Sequence, residues 1–331
     1  MPHKRPPDEG RLIQLVYYGY LVFSWIARWL PERVAYGLAN LAGSIQARRA
    51  RGRMTQIEKN LARITGLPMG SNELHEIVAE SFRSYARYWL ETFRAARADA
   101  AFFLDRLRPT GAEHIDGQLE KGGSVVLIGH IGNWDAAGAW AGAYGWRVVT
   151  VAETLKPQRM FDFFVKHRAR LGLTIYAAEK GVTARLIEAV EGGALVPILG
   201  DRDLKGTGIE VDFFGEPATF PRGPAAIALR TGVPLIFVGI RGLRHDDGRW
   251  GWAMDISEPI DLPPADDPDA IAKLTALGVG HLEDYIRRYP SEWHVFQPFW
   301  PSDRSSDRPS DRPSDRSSDR PSDRPSDGAR G

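Results

Sequence analysis

The residues best suited to chemistry lie in the segment GHIGNWD, which contains His130 and Asp135. On an ideal helix, positions five apart point about 140° away from each other, so the two side chains can meet only if His130 lies in a turn before the helix. Gly129 and Gly132 permit such a turn. A carboxylate on one ring nitrogen would fix the tautomer and leave the other nitrogen as a general base near neutral pH. We therefore predict an acid–base pair of His130 and Asp135, with a purely structural pair as the alternative.

The rest of the sequence offers this base no covalent partner. The 331 residues include no cysteine, which excludes disulfides, thiolate nucleophiles and Cys-ligated metals. The chain also lacks a G-x-S-x-G elbow, an H-E-x-x-H motif, a Walker A motif and a complete dinucleotide loop. We therefore expect no metal and no resident cofactor. A base without a nucleophile favours direct transfer, in which it deprotonates an acceptor hydroxyl that attacks an activated acyl group.

Strands and helices alternate from Pro109 onward, which predicts an α/β fold with a mostly parallel central sheet flanked by helices. The apolar runs predict strands at residues 124–129, 147–151, 173–177, 194–199 and 234–240, and the patterns between them predict helices at 134–144, 160–171, 182–191 and 224–230. Ligands bind at the carboxyl ends of the strands in such sheets, and GHIGNWD follows the first of these strands.

An aromatic, apolar segment occupies residues 11–30. Its uncharged run, residues 12–27, is 16 residues long, short of the roughly 20 that a spanning helix needs. The polar positions fall within an arc of about 140°; they are Arg11, Gln14, Ser24 and Arg28. This pattern predicts a helix lying in a membrane interface, with an ordinary docking helix as the alternative.

Two further helices are predicted before the α/β region. One begins at Pro31 and Glu32 and leads to four arginines within residues 48–53, which suit anionic headgroups or simply a solvated helix end. The other covers residues 71–97, where an apolar stripe at helical spacing indicates a buried face rather than a chemical site.

The net charge of +1 divides unevenly along the chain. Residues 1–108 contain 17 Lys+Arg and 10 Asp+Glu, residues 109–301 contain 19 and 25, and residues 302–331 contain seven of each sign. We therefore divide the chain into an N-terminal helical, membrane-associating region (1–108), an α/β catalytic region (109–301) and a Ser-Asp-Arg-Pro repeat tail predicted to be disordered (302–331). The catalytic region has no basic, aromatic-interleaved patch, so nucleic acid is not an expected partner.

Taken together, these motifs resemble a known family. The H-x-x-x-x-D element at residues 130–135 is similar to the first motif of the glycerolipid and lipid A type acyltransferases. Longer segments resemble the bacterial phosphatidylinositol mannoside acyltransferase branch; they are VAETLKP, FVKHRARLG, GDRDLKGTGIEVDFFGEPATFPRGPAAIALRTGVPL and, more loosely, YPSEWHVFQPFW.

The resemblance implies roles for individual residues. It makes His130 the catalytic base and Asp135 its orienting partner. It places Glu153, Arg168 and the acid of GDRD, here Asp201 where the branch commonly has Glu, in the active-site groove.

From their chemistry, Arg168 and Arg202 could also bind the phosphates of CoA or of a lipid, and each could instead form a surface ion pair.

The resemblance also implies the substrates and the location. The donor would be acyl-CoA, the acceptor a phosphatidylinositol mannoside or a related anionic glycolipid, and the site of action the cytoplasmic face of the cell membrane, bound peripherally. The alternatives are a lipid A type secondary acyltransferase and a non-catalytic membrane-binding protein of the same fold. The N-terminal aromatic segment disfavours a soluble His-dependent hydrolase.

Overall fold

The computed structural model describes residues 19, 22, 24–27, 29–50, 55–95, 98–153, 165–166, 168–203, 206–264 and 266–304. The helices are α1 (Glu32–Ala50), α2 (Gln56–Thr65), α3 (Asn72–Ala95), α4 (Ala100–Arg106), α5 (Ala112–Leu119), α6 (Trp134–Tyr144), α7 (Val182–Glu191), α8 (Gly223–Thr231), α9 (Ala270–Arg288) and α10 (Pro301–Arg304). The strands are β1 (Leu107–Thr110), β2 (Ser124–Ile128), β3 (Val148–Ala152), β4 (Leu173–Ala177), β5 (Leu195–Leu199), β6 (Ile209–Phe213), β7 (Glu216–Phe220), β8 (Leu235–Arg244) and β9 (Trp250–Ile256).

Seven strands form the central sheet in the order β1-β9-β8-β2-β5-β3-β4. All neighbouring pairs are parallel except β8 with β9, which pair antiparallel. The predicted α/β class with a mostly parallel sheet is therefore confirmed. All five residues of β2 are buried, as expected for a strand covered on both faces.

Helices cover both faces of the sheet. On one face, side chains of α2, α3, α7, α8 and α9 pack over the odd-numbered residues of β2 and β8. On the other face, α4, α5 and α6 pack over the even-numbered residues of the same two strands. This alternation follows the two-residue period of a strand and gives the sheet a core on each side.

Several elements were not predicted from the sequence. β6 and β7 form a separate antiparallel hairpin, and β8 extends beyond residue 240 to pair with β9. Within β6, exposed and partly buried residues alternate. Such half-buried strands lack the continuous apolar run that marks a buried strand.

The N-terminal helices α1 and α3 pack directly against each other. Gly43 of α1 lies so close to α3 that a Cβ placed there would be 2.7 Å from the Cα of Arg83.

Within the residues that are described, no helix is both long and apolar enough to cross a membrane. Most of the predicted interface helix, including Arg11, Gln14 and Arg28, lies outside the described residues, as do Arg51 and Arg53 of the predicted arginine cluster.

The described part of the predicted interface helix exposes several apolar side chains. Ser24, predicted on the polar arc, is buried against the protein. Val22, Trp25 and Trp29 are instead 56%, 61% and 60% exposed. These three apolar side chains therefore face away from the rest of the protein.

The predicted disordered tail begins with an ordered turn. Ser302 and Asp303 belong to α10, and Asp303 is buried. Nη1 of Arg63 in α2 donates to Oδ2 of Asp303 at 2.6 Å, and Nε2 of Gln56 donates to the same oxygen at 2.7 Å. The prediction of disorder is therefore wrong for residues 302–304, and the remainder of the tail lies outside the described residues.

Candidate active site

Three neighbouring parallel strands bring the predicted site residues to one edge of the sheet. β2, β5 and β3 lie side by side, and each ends at this edge. His130 follows β2 by two residues, Asp201 follows β5 by two residues, and Glu153 follows β3 directly. The structure therefore groups His130 and Asp201 with Glu153 at the carboxyl ends of the strands, where α/β proteins bind their ligands.

His130 lies in a turn between β2 and α6, as the sequence predicts. Gly132 has φ of +54°, and a Cβ there would be 2.3 Å from the carbonyl oxygen of Ile240. Only glycine meets both conditions. Asn133 then caps α6, because its Oδ1 accepts from the backbone N–H of Ala136 at 3.0 Å. The turn and the cap together fix where His130 leaves the strand.

The carboxylate that contacts His130 is Asp201, not Asp135. Nδ1 of His130 lies 2.6 Å from Oδ1 of Asp201, and the backbone N–H of His130 donates to Oδ2 at 2.8 Å. The predicted contact between Asp135 and the ring is therefore wrong, because the turn directs the imidazole toward the end of β5. The side chain of Asp201, although shorter than Glu, reaches the ring and leaves Nε2 for a substrate.

Asp201 is completely buried, yet its lowered pKa keeps the carboxyl ionised at neutral pH. Burial opposes its ionisation, but the charge and hydrogen bonds of His130, together with the N–H of Trp293, hold the pKa of Asp201 below its usual value. Nε1 of Trp293 lies 3.1 Å from Oδ2. An ionised acid on Nδ1 places the ring proton there and makes Nε2 the basic nitrogen.

Asp135 instead pairs with Arg168. Nε of Arg168 donates to Oδ1 of Asp135 at 2.7 Å, and the hydroxyl of Tyr88 donates to Oδ2 at 3.3 Å. The two charged side chains are only 18% and 8% exposed, so this ion pair is largely shielded from water. It fixes a guanidinium beside the turn that carries His130.

The remaining predicted residues have different environments. Glu153 is exposed at the end of β3. Arg202 follows Asp201, and its Nε and Nη2 both lie 2.8 Å from the side-chain oxygen of Gln297, with the amide oriented so that its oxygen accepts. The structure thus places Arg202 against the C-terminal segment.

This C-terminal segment, residues 290–297, is the feature of the site that the sequence reasoning missed; we call it the strap. The backbone N–H of His294 donates to the carbonyl of His130 at 2.8 Å, and the N–H of Gly132 donates to the carbonyl of Glu292 at 2.9 Å. The aromatic composition of YPSEWHVFQPFW is the sequence feature that could have indicated the strap, since the N–H of a buried Trp needs a hydrogen-bond partner.

A buried carboxylate from the N-terminal region also supports the turn. Glu91 of α3 accepts hydrogen bonds from the hydroxyl of Tyr36 at 3.0 Å, Nδ2 of Asn133 at 2.8 Å and Nε1 of Trp252 at 2.8 Å. Burial raises the pKa of Glu91 to about 7 despite these three donors. α1, α3, α6 and β9 are therefore joined at one carboxylate behind the site.

The arrangement is suited to general-base catalysis on a hydroxyl group. His130 retains 21% of its side-chain exposure while its Nδ1 is held by a fully buried acid. A base of this kind can take a proton from a bound alcohol and later return it to a leaving group.

Comparison with known proteins gives a consistent result. Residues 8–302 match the family described as bacterial lipid A biosynthesis acyltransferase. The chain is 32% identical over 305 residues to the phosphatidylinositol mannoside acyltransferase of Mycolicibacterium smegmatis, covering 91% of this chain and 95% of that protein. It is 34% identical over 289 residues to the protein of the same name from Mycobacterium tuberculosis, covering 85% of this chain and 87% of that one.

Proposed function

The chain belongs to the bacterial lipid A biosynthesis acyltransferase family, and from that premise we propose that it transfers a fatty acyl group from acyl-CoA to a sugar hydroxyl of a phosphatidylinositol mannoside. The observation that carries this proposal is the His130–Asp201 pair at the carboxyl end of β2. The names of the similar mycobacterial proteins support the choice of acceptor.

The proposed reaction proceeds without a covalent enzyme intermediate. Nε2 of His130 takes the proton of the acceptor hydroxyl while its oxygen attacks the thioester carbonyl. The tetrahedral intermediate then expels the CoA thiolate, which receives that proton from the imidazolium. Asp201 holds the ring in the required tautomer and stabilises its charge. The products are an ester and free CoA.

Arg168 is the side chain we propose for binding the anionic parts of a substrate. Its pairing with Asp135 fixes its orientation, and guanidinium groups bind phosphate oxygens well. We propose Arg202, which follows Asp201, for the same purpose, and Glu153, exposed at the end of β3, for hydrogen bonding to the sugar acceptor.

The activity can be tested by measuring free thiol released from acyl-CoA. The chain has no cysteine, so the protein itself adds no thiol to the assay. We expect release that depends on a phosphatidylinositol mannoside acceptor and that falls to background in His130→Ala. His281→Ala, at an exposed position on α9, serves as the matched control and should stay active.

Two results would contradict this proposal. Transfer to a lipid A precursor in preference to the mannoside would assign the acceptor to the other branch of the family. Transfer retained by His130→Ala would overturn the mechanism.

We also propose that the enzyme docks peripherally on the cytoplasmic face of the cell membrane. α1 exposes an apolar stripe at spacings of four, three and four residues, which keeps it on one face; its members are Val34, Leu38, Leu41 and Ile45, between 39% and 55% exposed. Trp25 and Trp29, which precede α1, are also exposed, and Arg48 and Arg49 lie in the last turn of α1. Aromatic and basic side chains at the margin of an apolar face suit an anionic lipid surface.

Co-sedimentation with vesicles tests this docking. The double variant Leu38→Glu and Leu41→Glu should lose binding to vesicles that contain phosphatidylinositol. Leu277→Glu alters a residue of similar exposure, 52%, on α9 and should bind normally. Equal binding by all three proteins would contradict docking through α1.

A further inference from the structure

We infer that Trp293 is a positioning residue for acyl transfer, acting through Asp201 on His130. This inference rests on the proposed function, and it concerns the origin of the geometry of the base. The two oxygens of the Asp201 carboxylate have different partners. Oδ1 faces the His130 ring, whereas Oδ2 accepts hydrogen bonds from two N–H groups.

The two donors on Oδ2 determine the direction of Oδ1. The backbone N–H of His130 lies 2.8 Å from Oδ2 and Nε1 of Trp293 lies 3.1 Å from it. Asp201 is fully buried and Trp293 is 1% exposed, so water cannot readily replace either donor. Without the indole N–H, Oδ2 keeps one donor, and the orientation of the carboxylate is held less firmly.

The indole is itself held rigidly. Residues on both sides of Trp293 bond to the turn that carries His130, through the carbonyl of Glu292 and the N–H of His294. Its ring packs against Phe213 at 6.0 Å, Phe299 at 5.0 Å and Trp300 at 6.1 Å between centroids. Because the strap contacts both the acid and the base, it sets the two at a fixed separation.

Other charged or titratable groups surround this pair and stay unchanged in the test. They are Arg202 beside Asp201, Glu292 and His294 on the strap, Asp135 of α6 with its partner Arg168, and Arg87 with Tyr88 on α3. Burial, with the charges of His130 and Arg87, lowers the pKa of His294 to about 3, so His294 is neutral at the pH of the assay. A change in the pH profile on removing one neutral N–H therefore reports on the Asp201–His130 pair.

The test compares Trp293→Phe with Trp300→Phe. Both tryptophans are buried in the same aromatic cluster, and Nε1 of Trp300 donates to the carbonyl of Phe213 at 3.1 Å, the same length as the bond to Asp201. Each variant thus loses one indole hydrogen bond of the same length, but only Trp293→Phe loses a bond to the acid. A second variant replaces the indole of Trp293 by benzothiophene, which keeps the ring shape and removes the N–H.

We expect Trp293→Phe and the benzothiophene variant to lower kcat by about ten- to a hundredfold, as for the loss of a hydrogen bond to a buried charged group. The KM for acyl-CoA should stay within about twofold, because the indole is buried, at 1% exposure, and is not accessible to a substrate. The acid limb of the pH–rate profile should move to higher pH, since a carboxylate with one donor fewer holds the imidazolium proton more tightly. Trp300→Phe should keep the kcat and profile of the wild type.

A readout that needs no substrate separates this inference from the proposed function. In proton NMR of the full-length protein, the downfield Nδ1–H resonance of His130, assigned by its loss in His130→Gln, should be broadened or lost in both Trp293 variants and kept in Trp300→Phe. An unchanged resonance and pH profile in the benzothiophene variant would overturn the positioning role. Wild-type protein without transferase activity would overturn the proposed function, and the NMR comparison would still decide the role of Trp293.

Discussion

Asp201 contacts His130 at two atoms, the backbone nitrogen and Nδ1, at 2.8 and 2.6 Å. The same carboxylate thus fixes the backbone of the turn as well as the tautomer of the ring. Asp135, five residues from His130 in the sequence, fixes Arg168 instead. The two acids therefore have separable roles, one toward the base and one toward a cation.

Asp201→Asn should damage catalysis far more than Asp135→Asn. An amide at 201 presents an N–H₂ group to the ring and favours the wrong tautomer, so we expect kcat to fall on the order of 10³-fold or more. Asp135→Asn removes the charge partner of Arg168 and should cost about tenfold. Steady-state kinetics with acyl-CoA and acceptor measure both. A larger loss in Asp135→Asn would return the orienting role to Asp135.

Local sequence patterns predicted the elements around the site but not the partner of the base. Apolar runs and flanking glycines predict the bounds of β2, α6, β4 and α7, because these signals lie within each element or directly beside it. The choice of Asp201 depends on β5 lying beside β2, a relationship between residues 71 positions apart. Spacing along the chain does not encode strand order. The sequence therefore favours the nearby Asp135 in GHIGNWD over the distant Asp201.

The strap shows the same limit at longer range. Trp293 is 92 residues from Asp201, and its Nε1 donates to Oδ2 of that acid. Composition marks these residues as buried polar groups that need partners, whereas the identity of each partner comes only from the packed fold.

Arg168→Gln should weaken the site, whereas Arg170→Gln should not. Arg168 is 18% exposed and paired with Asp135, whereas Arg170 is exposed two residues further along the same helical segment. We expect the first change to lower kcat/KM for acyl-CoA by about tenfold or more, the scale of one charge-assisted hydrogen bond. The second should stay within about twofold. Equal effects would mean that general positive charge, rather than the held guanidinium, is what the reaction uses.

Glu91→Gln should change how stability depends on pH. The pKa of Glu91 is raised from 4.5 to about 7 in the folded protein, so the folded state binds more protons than the unfolded state between these values. Its stabilising contribution is fully present below about 4.5 and is lost as pH rises to about 7. Gln cannot titrate and can still bond to Tyr36, Asn133 and Trp252. We therefore expect the variant to gain stability relative to the wild type as pH rises from 4.5 to 7.

Denaturant unfolding at several pH values measures this difference, with an upper limit of about 1.4 kcal/mol per pH unit. A difference between the two proteins that is constant across this range would show that Glu91 does not titrate there.

His294→Gln should have an effect of the opposite sign. Burial lowers the pKa of His294 to about 3 from 6.5, so the unfolded state binds more protons between these values. Stability contributed by neutral His294 is present above about 6.5 and is lost as pH falls toward 3. Because Gln does not titrate, the variant should lose less stability as pH falls. Its amide can still donate to Oγ of Ser84, which lies 3.0 Å from Nε2 of His294. The same unfolding series at pH 4 to 7 checks it, and an undiminished slope would contradict the prediction.

Asp303→Ala should destabilise the protein, whereas Asp307→Ala should not. The two aspartates occupy the same position in successive Ser-Asp-Arg repeats, so their immediate neighbours match. Asp303 is buried and bonds to Arg63 and Gln56, and Arg63 also lies over the ring of Trp300 at 4.9 Å. Removing the acid leaves a half-buried guanidinium without that partner, which should cost about 1–3 kcal/mol. Asp307 belongs to the segment predicted to be disordered, so its change should lie within about 0.5 kcal/mol. Thermal unfolding of the two variants measures the contrast, and equal transition temperatures would mean that the first repeat contributes no more to stability than the second.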